Sequence, residues 1–165
     1  MLLYLQKNNM KQLALTFTFA AVLSFFAAAQ NKTSSSLDYK TSIGVKVWDG
    51  AGISLKTFID DKNALEFIGF FKSGSTRITG LYEKHGDLNT EGNLKWYIGP
   101  GAHVGLYKVL TETKTYFGVD GVVGLDYKFG NLPLNLSLDW QPAFEFSGGG
   151  TFISNWGGLG IRYTL

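Results

Sequence analysis

Two histidines, His85 and His103, are the residues in this 165-residue chain most suited to proton chemistry. With a serine and an acid beside it, either could build a hydrolytic triad. Nothing in the sequence sets a serine next to either ring, so the reading is a histidine bonded to a neighbouring carboxylate. The 18 positions between them lack metal-ligand spacing. The chain has no cysteine, which removes disulfides, thiolate metal sites and a lipidated cysteine. Gly99-Pro100-Gly101 and Gly148-Gly149-Gly150 are not phosphate loops, because neither is followed by a lysine and a helix. The expectation is therefore no catalytic, cofactor-binding or metal residues, no cofactor, and a protein that is not an enzyme.

The remaining candidates are charges. Lys46, Lys56, Glu66, Glu83, Asp120, Asp126, Asp139, Glu145 and Arg162 alternate with apolar residues along their segments. Period two is the strand period. Eight such segments run over 41–48, 51–59, 64–72, 76–85, 94–107, 115–129, 134–146 and 152–165. The seventh is the cleanest. Leu134, Leu136, Leu138, Trp140, Phe144 and Phe146 take one face, and Asn135, Ser137, Asp139, Gln141 and Glu145 the other. Asp49-Gly50, Ser73-Gly74-Ser75 and Gly130-Asn131 with Pro133 mark turns. Pro100 and Pro142 fall inside strand patterns and predict bulges or kinks.

A soluble barrel would point its charges to water and its apolar face inward. A membrane barrel inverts this order. Trp96, Phe117, Tyr127, Phe129, Trp140, Phe144, Phe146 and Tyr163 share the apolar face, mostly near segment ends, as interfacial girdles do. The predicted fold is all-β: a transmembrane, up-and-down antiparallel β-barrel of about eight strands over residues 41–165. Closure follows because open sheet edges in lipid would leave backbone groups unpaired. Eight strands leave an interior that side chains fill. The inward glycines Gly44, Gly99, Gly101, Gly105, Gly118, Gly124, Gly158 and Gly160 relieve crowding there.

The nine charges form the predicted lumen network, with Lys72 and Lys128 placed on the same face by parity. Arg162 is its anchor, since a planar guanidinium can bridge two carboxylates. Hairpin pairing makes Asp139 or Glu145 its nearest partner and sets Lys46 on its other side.

Residues 1–29 read as a cleaved signal peptide: Lys7 and Lys11, an apolar run over 13–29, and Ala27-Ala28-Ala29 before Gln30. Met10 offers a second start. Residues 30–40, polar and serine-rich, read as a flexible leader. Of the 15 Lys and Arg, two precede Gln30, which leaves 13 against 13 acids and no net charge. Nucleic acid is therefore not an expected partner.

The segments GISLKTFIDDKNALEFIGFF, TGLYEKH, WYIGPGAHVGLY, VGLDYKF, LPLNLSLDWQPAFEF and the final LGIRYTL resemble small Gram-negative outer-membrane β-barrel domain proteins, relatives of the OmpX and OmpA barrels. The resemblance spans about residues 41–165. The alternating end, Tyr163 to Leu165, is similar to the signal read by the barrel-assembly machinery, though the last residue is not aromatic. It implies an outer-membrane location, lipid as surroundings and that machinery as a partner during insertion. No specific protein or ligand follows from it. Two roles remain: a structural or interaction barrel with a closed lumen, or a narrow transport or lipid-handling barrel. The short connections favour the first.

Overall fold

The computed structural model describes residues 39–88, 93–109, 112–147 and 149–165, without the side chain of Val109. The signal peptide expected at 1–29 and leader residues 30–38 lie outside these. Ten strands make up the described fold: β1 (Thr41–Val47), β2 (Ala51–Phe58), β3 (Asn63–Lys72), β4 (Ser75–Asp87), β5 (Leu94–Val109), β6 (Glu112–Lys128), β7 (Leu134–Trp140), β8 (Ala143–Glu145), β9 (Thr151–Ile153) and β10 (Gly157–Thr164). Every pairing is antiparallel.

The ten strands form eight staves. β7 and β8 both pair with β6, with Gln141-Pro142 as the break between them. β9 pairs with β8 and β10 with β7, so these two strands form the next stave. Each stave lies beside its sequence neighbour, and β10 pairs with β1 from Ser42–Thr164 to Val47–Leu159, which closes the ring. The fold is thus a closed, eight-stave, up-and-down antiparallel barrel, as the period-two pattern predicts.

Both prolines fall at a gap in a ladder, but the β4–β5 register and the register of β6 with β7 and β8 are the same on either side, so neither gap is a bulge. At Pro142 the strand stops, and the Pro142 carbonyl accepts the Gly121 N–H at 2.8 Å. At Pro100, which has no N–H to give, the β4–β5 ladder skips from Leu81–Gly101 to Lys84–Ile98. Turns are short for local reasons. Gly74 sits at φ 75°, a left-handed conformation that glycine adopts without strain, and lets β3 reverse into β4. In the β2–β3 turn the Asp60 carboxylate accepts the N–H groups of Lys62 and Asn63, both at 2.8 Å, and the Asn63 side-chain amide. The Asn63 amide leads in holding this carboxyl below its usual range.

The alternation sorts side chains to two surfaces. Outward go Ile53, Ile78, Phe117 and Leu138, each more than half exposed, with the rest of the apolar parity. Inward go all nine predicted charges, the least covered of them 6% exposed. Inward glycines make room where backbones nearly touch. A Cβ on Gly44 would stand 2.0 Å from the Ile161 carbonyl oxygen, across the closing seam. Backbone cannot yield as a side chain can. We therefore expect Gly44→Ala to destabilise the barrel by about 1–3 kcal/mol, the usual cost of overpacking. A urea midpoint equal to that of the parent would show that the seam has slack.

Candidate functional site

The only enclosed polar constellation among the described residues is the lumen, and it is stacked in layers along the barrel axis. Parity along each strand sets the order. On β4 the inward residues run Arg77, Thr79, Leu81, Glu83, His85; on β6 they run Asp120, Val122, Gly124, Asp126.

The layer nearer the start of β1 and the end of β10 holds three cations and four acids. Arg162, fully buried, donates across the lumen to Glu66, through Nε to Ser54 at 2.7 Å, and through one terminal nitrogen to Ser137 at 2.8 Å and Asn135 at 3.2 Å. Glu66 also accepts from the Ser54 hydroxyl at 2.6 Å and has Lys46 and Lys56 at 3.8 and 3.9 Å. Lys46 pairs with Asp139 at 2.6 Å. Asp139 further accepts from the Tyr97 hydroxyl at 2.7 Å and the Gln141 amide at 2.8 Å. Lys56 lies 2.8 Å from Glu83 and 3.3 Å from Asp126, with its ammonium over the Tyr97 ring at 4.3 Å. Asp126 accepts from the Asn135 amide. His85 stands against Glu83 at 3.1 Å.

An apolar layer follows: Ile68, Phe70, Leu81 and Val122, together with Tyr97, with Trp156 packed against them. Beyond it lies a second ionic layer. Arg77 pairs with Asp120 and sets its guanidinium over the Trp156 ring at 4.8 Å. His103 Nδ1 is 2.8 Å from Asp120, and its Nε2 is 3.4 Å from Glu145, which also accepts from Tyr107 at 3.2 Å.

Arg162 reaches across the lumen to Glu66 as well as sideways to Asn135 and Ser137 of β7, and this corrects the acids expected as its partners. β10 pairs with β7 so that Arg162 is opposite Asn135, while Asp139 is opposite Gly158. Asp139 therefore goes to Lys46, and Glu145 belongs to the other ionic layer. Lys72 and Lys128 are also corrected. Lys72 ends β3 beyond the closed wall and pairs with Asp49 at an exposed turn. Lys128 ends β6 and donates to the carbonyls of Phe129 and Leu132, both at 2.8 Å, which braces the β6–β7 turn.

Three inward groups escaped the sequence reading. Arg77 shares the parity of Thr79 and Glu83, and that parity was the available signal. Ser42 could be found the same way from Gly44 and Lys46. The apolar layer had no such signal, since residues 67–71 are apolar or glycine at both parities.

Chemically, the His103–Asp120 pair has the hydrogen bond that orients a general base, but its free nitrogen faces a carboxylate where a hydrolase would hold its nucleophile. His85 likewise faces Glu83. Among the described residues no group of three or more His, Asp or Glu is arranged to hold a metal. On the outer wall, Leu65, Phe67, Gly80, Tyr82 and Pro100 border an apolar depression of about 330 Å³ beside the ladder gap. No protein-family model matches the chain, and neither a curated protein nor a solved structure matches it.

Proposed function

We propose that this chain is an integral outer-membrane β-barrel, non-enzymatic, with a structural or interaction role and a lumen closed to solutes. One observation carries the reading: the sidedness of the wall is inverted relative to a barrel that lives in water. Lys46, Lys56, Glu66, Glu83 and Arg162 are 1% exposed or less, while Ile43, Val45, Ile53, Phe67, Ile78, Ile98, Phe117 and Ile161 form the outside. Water around such a wall would leave a continuous apolar band far larger than soluble monomers expose. Hydrocarbon around it satisfies both surfaces. The aromatic residues support the same reading, since Trp96 and Tyr163 lie towards one end of the wall and Trp140, Phe144 and Phe146 towards the other.

The lumen supports a closed barrel because ion pairs span it and an apolar layer crosses it. Both histidines have carboxylates as partners, which favours a structural over a catalytic use. Insertion would then rely on the barrel-assembly machinery, with lipid as the standing partner.

Two measurements test this. The mature protein, beginning at Gln30, should fractionate with outer membranes; an intact N-terminus in the cytoplasm overturns the location. In a planar bilayer the purified barrel should give no steady steps of porin size, and such steps would overturn the closed lumen.

A further inference from the structure

At the end of the barrel where β1 begins and β10 ends, a residue that belongs to no strand lies in the mouth. Tyr39 precedes β1 and is buried. The Lys40 carbonyl accepts the Phe58 N–H at 2.8 Å, so the β1–β2 ladder runs one rung past Thr41–Thr57. Past that rung, the Tyr39 ring lies inside the mouth, edge-on to Phe58 at 5.5 Å. Phe58 meets His85 at 4.9 Å, and His85 stacks on Tyr97 at 5.1 Å. Tyr39, Phe58 and Ala64 form one apolar cluster. Each strand residue of this floor stands two positions from an ion behind it: Phe58 from Lys56, Ala64 from Glu66, His85 from Glu83. The hydroxyls of Tyr39 and Ser42, both buried, have no hydrogen-bond partner among the described residues. Withdrawing the Tyr39 side chain therefore breaks no hydrogen bond to a described residue.

We propose that Tyr39 is a removable stopper, which governs access of water and small solutes to the ionic layer of Arg162, Glu66, Lys56 and Glu83 from this end only. The layer of Ile68, Phe70, Leu81, Val122 and Trp156 blocks the far side. Displacing Tyr39 thus opens a one-ended chamber, not a channel. The inference concerns the lumen alone and stands whether the wall faces lipid or detergent.

The chain has no cysteine, so single cysteines report access directly. Ser42→Cys places a thiol in the stoppered layer, and Thr79→Cys places one beyond the apolar layer, where Thr79 is 2% exposed. The full chain in detergent micelles is treated with a small, charged methanethiosulfonate. Adding Tyr39→Ala should speed modification at position 42 at least tenfold and leave position 79 unchanged. Tyr39→Phe should leave both rates at the parent value, since the hydroxyl has no hydrogen-bond partner among the described residues. Equal rates at 42 with and without Tyr39→Ala overturn the proposal. Acceleration at both positions also overturns it, because that outcome means general loosening. Should Tyr39→Ala not fold, Tyr39→Leu carries the same comparison, with a smaller acceleration at 42.

Discussion

Arg162→Ala should lower the stability of the barrel by about 3–5 kcal/mol, the cost of breaking a buried ion pair by removing one partner. The guanidinium is the centre to which Glu66, Ser54, Asn135 and Ser137 all turn. Without it Glu66 keeps one hydroxyl and two ammonium groups at 3.8 and 3.9 Å, beyond hydrogen-bond reach. Urea unfolding of the reconstituted barrel measures the loss. A paired change separates a lost attraction from an exposed charge. Arg162→Met with Glu66→Met should recover much of the loss, since apolar replacement of both partners removes the uncompensated acid. If the double variant is as unstable as Arg162→Ala, the layer is held by packing around the guanidinium and not by its charge.

Leu138→Arg should cost about 2–4 kcal/mol in a lipid bilayer if this outward position lies near the midplane. Leu138 pairs with Leu125 on one side and Leu159 on the other, so the new cation would have only outward apolar neighbours. Val123, two rungs away on β6 and also outward, should respond alike. Substitution at the adjacent inward Ser137 is a different experiment, because an arginine there would compete with Arg162 for space and acceptors. The comparison is made in liposomes by urea midpoints. An unchanged or raised midpoint for Leu138→Arg would mean that water, not lipid, covers this wall.

Much of the fold was written in parity. Leu134 to Trp140 alternates without exception, and the strand, its facing and its pairing with β6 and β10 follow. The same rule puts Asp126, Asp139 and Arg162 inside before any contact is known. Parity fails where both faces carry the same kind of residue: Phe67, Ile68, Phe70 and Phe71 show no contrast, so the apolar layer stayed hidden. It also fails past the last rung, where Lys72 and Lys128 have the inward parity but no lumen beside them. Partners were harder than facings. Which acid meets Arg162 depends on reach across the lumen, and no local spacing encodes that distance. Tyr39 was invisible for a related reason, since it sits in a polar, serine-rich stretch whose composition says nothing about one ring folding inward.

The seam between β1 and β10 sets an order of events. Arg162 lies on the last of the ten strands, while Glu66, Ser54 and Lys56 lie on the second and third. Every partial barrel that lacks β10 has already gathered acids towards a common interior without the cation that gathers them in the finished one. An assembly stalled short of β10 keeps an open edge, and its Glu66 lacks the guanidinium and has only the Lys46 and Lys56 ammonium groups, at 3.8 and 3.9 Å. The strand that closes the ring also brings the guanidinium to Glu66. Ring closure and the burial of Glu66 against its guanidinium are therefore coupled, because both need β10.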